Sequence, residues 1–464
     1  MRIVAFVPLA LLACSPGGPT ARAAFIQEVL VEDNRVWLTR DPDLVARKFN
    51  AMADDPYDFM RGTVALHFAD LARPRAARTP TRFLGTPSST SVLLVGDPHP
   101  ENATLCHPET GQPGAPSLEF VDLDAAGFGP WTVDVRRAAL GLRILAGGLP
   151  GCDADCQEDG VVAMATAYSR RIMDTEPSSP EAGRIIGDLV ERAAERGPEN
   201  RRLRKLTSEA REGRRRFMHT DDTRLEPLSR QERAVVDEAM HAWRNRGDAP
   251  QDMRVLDRAR RFGSGISSQP ALRFAVAWDR GDPSDEDDRL LQLREVIDPP
   301  PPPGRALQQT SLFDDNAQRV EYAATLLWSR ADADPRASGL RAGGYDLKTM
   351  SWTDWLQPID HERVLEAWVE GRYTPADIEM LGATLGDVLA GSHGRGETAS
   401  GRGSRAVIRA DLESGGGPAA LRGELRTVSR LDTRQLERDH RIFIDLLDSQ
   451  GPLLGAEHIL EGVR

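Results

Sequence analysis

Lysine is nearly absent from this 464-residue chain: Lys48, Lys205 and Lys348 stand among 59 basic residues. Any chemistry that needs a lysine must use one of these three positions or be carried by arginine. A basic surplus is missing too, because 71 acidic side chains outweigh the basic ones and leave a net charge of −12. Nucleic acid is therefore not an expected partner, since phosphate backbones are bound by basic surfaces. There is no extreme bias of composition: the chain is 40% hydrophobic and 28% charged. That balance excludes a disordered, a collagenous or a multi-span membrane protein. No internal repeat is present, and the length suits two or three domains with a sizeable core.

No apolar run is long enough to span a bilayer. The stretch from Ile3 to Ala13 is too short for that but suits the apolar region of a secretory signal, with Arg2 as a minimal positive start. Leu11-Leu12-Ala13-Cys14 resembles the bacterial lipobox, in which the cysteine is lipidated and becomes the new N-terminus. Ser15 after the cysteine resembles lipoproteins sent on to the outer membrane. The expectation is a signal peptide at 1–13, a lipidated flexible tether at 14–24 and a place in the bacterial envelope. The alternative is a misassigned start before a cytoplasmic protein. Beyond Cys14 only Cys106, Cys152 and Cys156 remain. The Cys-x3-Cys pair suits a small disulfide in an exported protein; as a zinc site it lacks a second ligand pair.

Asp41-Pro42 and Asp55-Pro56 each open a helix, so 41–72 reads as two helices. Short apolar runs at 90–95 and 118–121 read as buried strands, the first feeding Gly96-Asp97 and the second Asp122 and Asp124. Residues 134–146 form an apolar helix, and 157–246 reads as almost wholly helical. Strand patterns return at 262–278 and 289–297, followed by the stiff Asp298-Pro299 to Pro303 linker. Helices follow at 314–330 and at 375–392, the latter opened by the capping-box sequence Thr374-Pro375-Ala376-Asp377. The glycine-rich stretches 391–405 and 414–417 read as mobile. Residues 201–216 carry eight basic and two acidic side chains, read as a solvated helix face or, alternatively, a patch for anionic headgroups or a phosphorylated partner.

The chemistry centres on Gly96-Asp97-Pro98-His99-Pro100-Glu101-Asn102 after one strand and Val121-Asp122-Leu123-Asp124 after the next. Carboxylates and an amide at strand ends suit Mg²⁺, which prefers oxygen ligands. The Asp-x4-Asn spacing matches the catalytic loop of kinases, where Asp takes the proton of the attacking hydroxyl and Asn holds a metal. Asp97 is then the candidate base, and Asn102 and Asp122 the candidate metal ligands. Alternatively, Asp97 and Asn102 cap a structural turn. Strand-Gly-Asp-x-His also begins metallophosphoesterases, but that class needs a Gly-Asn-His motif, and none occurs here.

At these motifs the chain resembles the bacterial DUF2252 family, grouped with protein-kinase-like folds. Met52 to Gly62 (MADDPYDFMRG) is similar to that family's opening motif, and GDPHPEN to its Gly-Asp-x-His-x-x-Asn. Asp122-Leu123-Asp124 with Gly129-Pro130-Trp131 and Asp134 follows the family's next block. Phe262-Gly263-Ser264-Gly265-Ile266-Ser267 resembles its glycine-rich turn. Leu291-Gln292-Leu293-Arg294-Glu295 resembles its lysine strand, and Gln318-Arg319-Val320 the start of its following helix. The chain departs from the pattern at Ala125, where the family has Glu, and at Arg294, where it has the phosphate-contacting lysine. Arg and Lys differ in shape and donor geometry. The helix glutamate falls at Tyr322, with Glu321 one place away, and Arg319 and Lys348 are spare cations.

In an ordinary kinase the glycine-rich turn, lysine strand and glutamate helix precede the catalytic loop; here they follow it by about 160 residues. The resemblance therefore implies a circularly permuted, two-lobe, kinase-like α+β fold, mostly helical. The helix 381–393 resembles the one that leads into a catalytic loop. The implied organisation is a catalytic-loop segment of the helical lobe at 25–150, a helical segment at 151–254, a small sheet-containing nucleotide lobe at 255–350 and a C-terminal helical segment at 351–464. The implied activity moves a phosphoryl group from a nucleotide such as ATP, with Mg²⁺, to a hydroxyl or amine acceptor. Gly263, Ser264, Gly265 and Arg294 would bind the nucleotide, supported by His99, Asp124, Asp134 and Glu321. The competing class is a non-catalytic, pseudokinase-like binding lipoprotein. The partners expected are a membrane, through the lipid on Cys14, and an acceptor substrate.

Overall fold

Asp-Pro pairs begin helices because the aspartate carboxylate accepts an orphan N–H while proline at the first position needs no partner for one. The computed structural model describes residues 19–73, 91–108, 115–173, 183–209, 215–247, 249–250, 252–263, 265–280, 287–301, 312–330, 334 and 337–457. Cys14, Ser264 and the last two prolines of the linker, Pro302 and Pro303, lie outside them. Helices α1 (Pro19–Asp33) and α2 (Arg35–Leu38) come first. The expected flexible tether is thus helical from residue 19, and Arg22 holds it down, 2.5 Å from both Asp70 and Asp439. Asp41 then caps α3 (Pro42–Asp54) and Asp55 caps α4 (Pro56–Gly62). A third helix, α5 (Val64–Ala72), takes the place of the second half of one long helix. Thr63 makes the break, its hydroxyl bonded back to the Phe59 carbonyl at 2.7 Å.

Four short strands follow: β1 (Ser91–Leu94), β2 (Ala103–Cys106), β3 (Ser117–Phe120) and β4 (Gly127–Pro130). β1 pairs with β4 and β2 with β3, all antiparallel. Helix α6 (Trp131–Gly147) is buried along almost its whole length. A Cys152–Cys156 disulfide precedes and enters α7 (Ala154–Met173). Next come α8 (Arg184–Arg196) and α9 (Arg201–Leu206).

Here the helical reading of 157–246 fails. Residues 207–226 hold β5 (Thr207–Glu209), β6 (Arg215–Phe217) and β7 (Leu225–Glu226) before helix resumes at α10 (Arg230–Asn245). Tertiary pairing overrides local propensity. Arg215 is buried against Asp288 at 2.7 Å, so the basic run is not a uniformly solvated helix face.

The largest sheet is built by β8 (Arg254–Arg261), β9 (Arg273–Asp279) and β10 (Arg289–Glu295), then α11 (Asn316–Leu327), then β11 (Ser338–Ala342) and β12 (Tyr345–Ser351). Its spatial order is β11-β12-β10-β9-β8-β7. Residues 262–263 and 265–268, expected to open a strand, lie in the connection between β8 and β9 instead. Side chains alternate across β9: Phe274, Val276 and Trp278 enter one core with Trp243 and Met240 of α10, while Ala275 and Ala277 enter another with Leu206 and Trp352. The expected segment boundary at 254–255 falls at the start of β8, inside the sheet that α10 covers.

Strand β13 (Leu356–Pro358) pairs with β2, ahead of α12 (His361–Val369), α13 (Pro375–Arg395), α14 (Ser404–Ser414) and α15 (Gly417–Gln450). The capping box at Thr374 and Asp377 is present. The glycine-rich 391–405 stretch is structured: α13 runs through Arg395, a bridge joins Glu397 to Gly403, and α14 starts at Ser404. The fold is mixed α/β, with several antiparallel sheets set among helices. Among the described residues no helix is long and apolar enough to cross a membrane.

Candidate active site

Burial of a polar loop is tolerated only when its backbone groups find partners. The loop after β1 finds them on α6. The Asp134 carboxylate accepts from the N–H of Val95 at 2.7 Å and of Gly96 at 3.1 Å, and His393 lies 3.0 Å away on its other side. Gly96 turns at φ +92°, and any β-carbon there would overlap the Ala125 carbonyl. Three and seven residues after Asp134, on the same helix face, come Arg137 and Gly141. Arg137 donates to Asp97 Oδ1 and to the Met60 carbonyl, each at 2.7 Å. Gly141 leaves room for the loop, since a β-carbon would come within 3.0 Å of His99 and Pro100. One face of α6 thus fixes the loop's entry, its carboxylate and its packing.

His99 Nε2 lies 3.7 Å from Asp97 Oδ2. Burial holds this imidazole down at about 4, so it is neutral near pH 7. On the far side Glu101 accepts from His361 Nδ1 at 2.5 Å and pairs with Arg61 at 2.8 Å. Burial opposes ionisation of Glu101, but His361 and Arg61 outweigh it and hold the carboxyl at about 2. Arg61 comes from the MADDPYDFMRG stretch, whose role is now plain: with the Met60 carbonyl it forms the platform under the loop.

Asn102 donates its side-chain N–H to the Asp97 carbonyl at 2.8 Å, which leaves its amide oxygen for a ligand. Its backbone carbonyl accepts from Val121 N at 3.2 Å, continuing the β2–β3 ladder by one step. That step sets Asn102 beside Asp122. The sheet meets the same point: the Arg294 guanidinium bonds to both Asp122 and Asp124. Lys348 is the direct cross-strand neighbour of Arg294 and lies 2.5 Å from Asp124 and 3.3 Å from Asp122. Burial pushes the Asp122 carboxyl up, but Arg294 and Lys348 together hold it well below its ordinary value.

The helix after β10 behaves differently from expectation. Glu321 pairs with Arg246 at 2.5 Å and accepts from Gly339 N at 3.3 Å, so it is not the partner of Arg294. The Tyr322 hydroxyl bonds to Glu397. Arg319 is occupied with the carbonyls of Ala126 at 2.6 Å and Ile297 at 3.0 Å, a structural clamp on the segment after Asp124. Glu321 and Lys348 do line a common cavity of about 120 Å³ with Val121, Leu123 and Thr349.

In the turn between β8 and β9, Gly263 has φ +59° and Gly265 φ +74°. Arg224 bonds to the Gly263 carbonyl at 2.6 Å, and Arg273 reaches the Ser268 hydroxyl at 2.5 Å. Arg273 is also the cross-strand neighbour of Arg294. The turn therefore joins the Asp122 cluster through Arg273, while Asp97 joins it through Asn102.

The family model described as "Uncharacterized protein conserved in bacteria (DUF2252)" matches residues 40–446. The chain belongs to the DUF2252 family. No curated protein and no solved structure gives a significant match. The matched span of this DUF2252 protein holds every residue of the site and leaves out Cys14. Among the described residues no three His, Cys, Asp or Glu side chains form a metal cluster. Asp122 and Asp124 are instead each paired with the two cations Arg294 and Lys348.

Proposed function

We propose that this DUF2252 protein is a kinase-like phosphotransferase, built as a circular permutation of the kinase layout and carried on a lipid anchor at Cys14 in the bacterial envelope. The observation that carries the reading is the bond from Arg294 to Asp122, one residue past the point where the Asn102 carbonyl joins the β2–β3 ladder. It joins the loop that holds Asp97 to a sheet whose third strand bears the cation. In kinases a glycine-rich turn covers the phosphates, and a strand with a lysine precedes a helix. Here the turn joins β8 and β9, Arg294 lies on β10, and α11 follows. The end of α13 lies against β1, with Leu93 N bonded to the Glu397 carbonyl at 2.9 Å. This agrees with α13 being the helix that feeds the loop in the unpermuted order.

In this reading Asp97 Oδ2 accepts the proton of a hydroxyl or amine acceptor, while Arg137 on Oδ1 fixes the carboxylate's orientation. His99, neutral, borders the base without competing for the proton. Asn102 and Asp122 would hold Mg²⁺, which supplies neutralisation of charge on the transferring phosphate. Arg294 and Lys348 would turn from the carboxylates to a nucleotide such as ATP. A second reading, a non-catalytic binding protein, is favoured by the same two cations: Arg294 and Lys348 already neutralise Asp122 and Asp124, and Glu321 faces Arg246.

The test is purified protein lacking residues 1–13, with Cys14 replaced, assayed for thermal stabilisation by Mg²⁺-ATP and for phosphoryl transfer to a pool of acceptors. Stabilisation with transfer supports the enzyme. Stabilisation without transfer leaves the binding protein, and neither result would sink both readings.

A further inference from the structure

Arg273, Arg294 and Lys348 stand directly opposite one another on β9, β10 and β12. Directly opposed residues of antiparallel strands share a face. The alternation agrees, because Phe274, Leu293 and Leu347, next to each cation in sequence, all enter the α10 core on the other face. Like charges opposite one another are destabilising, so a row of three needs counter-charge. Asp122 and Asp124 supply two negative charges, and both bind Arg294 and Lys348. Arg273 is 4% exposed, its Nε has no partner, and its side-chain hydrogen bonds go to the Ser268 hydroxyl and carbonyl. Among the described residues no carboxylate pairs with it.

We propose that Arg273 is a phosphate-binding residue lying under the 262–268 turn, and that with Arg294 and Lys348 it forms a cationic row that takes a polyphosphate chain without requiring a divalent cation. The proposal rests on reading the cleft as a phosphate site and adds a residue and a metal-independent mode of binding to it. The electrostatics at Arg273 are unfavourable on balance. Burial, with Arg294 and Arg261 nearby, pushes its guanidinium well below its ordinary value, and Asp122 and Asp124 offset this only in part. The free protein therefore carries a charge that disfavours its own fold, and an anion would relieve it. A β-carbon at Gly265 would come within 3.3 Å of Arg273 Nη2, so the turn's backbone lies directly over the guanidinium. The Gly265 backbone and the guanidinium are thus close enough to border one anion.

The experiment uses the protein lacking residues 1–13 in EDTA, with inorganic tripolyphosphate and ATP as probes, followed by thermal shift and calorimetric titration. Tripolyphosphate should stabilise the protein without metal. Arg273→Met should weaken that binding by at least about tenfold, the scale of one charge-assisted hydrogen bond. The same variant, free, should unfold at a higher temperature than the unmutated protein, the opposite of what a merely structural residue would give. Arg273→Lys should keep most of the affinity, and Asp122→Asn should tighten metal-free binding by removing a competing carboxylate. ATP binding more tightly than tripolyphosphate would identify a nucleotide as the source of the chain, and equal affinities would identify inorganic polyphosphate. No stabilisation by tripolyphosphate in EDTA, or equal weakening by the Met and Lys variants, overturns the proposal. Intact metal-free binding with no phosphoryl transfer would instead defeat the enzyme reading and leave this one standing.

Discussion

Arg137→Met tests the platform that orients Asp97. The guanidinium is fully buried and Asp97 is 7% exposed, so neither charge has water to fall back on. Removing Arg137 leaves a buried carboxylate without its partner, which costs about 3–5 kcal/mol. The Met60 carbonyl loses its donor as well, adding roughly 1 kcal/mol. Asp97→Asn should cost less, about 1–3 kcal/mol, because the amide oxygen can still accept from Arg137 while the guanidinium loses its counter-charge. The double variant removes both charges and should be less damaged than the sum of the singles by at least about 2 kcal/mol. Urea unfolding at pH 7, with midpoints compared at equal slope, measures all four corners of the cycle. A cost below about 1 kcal/mol for Arg137→Met, or additivity within about 0.5 kcal/mol, would refute the buried pair.

Three further outcomes are expected, two from the geometry and the third from the proposed lipid anchor. His99 has its folded value at about 4 against 6.5 unfolded. The unfolded chain therefore takes up its proton first, and stability falls as the pH drops from about 6.5 to 4, by roughly 3 kcal/mol; in an acid titration of stability, His99→Gln should remove that part of the loss, and an unchanged profile would contradict the assignment. Gly96→Ala should lower the melting temperature sharply, because the residue needs φ +92° and the Ala125 carbonyl fills the space; a variant as stable as the parent would mean the loop is not packed as described. Cys14→Ala should move the protein from the membrane fraction to the soluble one or leave it unprocessed, and an unchanged mass and fraction would reject the anchor.

The site's local pieces were legible because they are short strands ending in chemistry. The runs read as strands at 90–95 and 118–121 coincide, within a residue or so, with β1 and β3, and the Asp41 and Asp55 caps identified their helices. What could not be read was non-local. Nothing in β8, with four arginines and an aspartate in eight residues, advertises a strand; it is one because β7 and β9 pair with it. Lys348 could not be set opposite Arg294 without the β10–β12 register. Arg137 and Gly141 were missed although a signal existed, the helical spacing of 134, 137 and 141. Glu321 was placed near Arg294 by motif register alone, and Arg246, just past the end of α10, draws it elsewhere.

The most direct measurement is turnover and nucleotide affinity of Asp97→Asn beside the unmutated protein, with Mg²⁺-ATP and an acceptor that the unmutated protein phosphorylates. The account predicts a fall in turnover of about 10²–10⁴-fold, the usual contribution of a positioned base, with nucleotide affinity unchanged. Turnover at the unmutated rate, or loss of nucleotide binding in step with turnover, would contradict it.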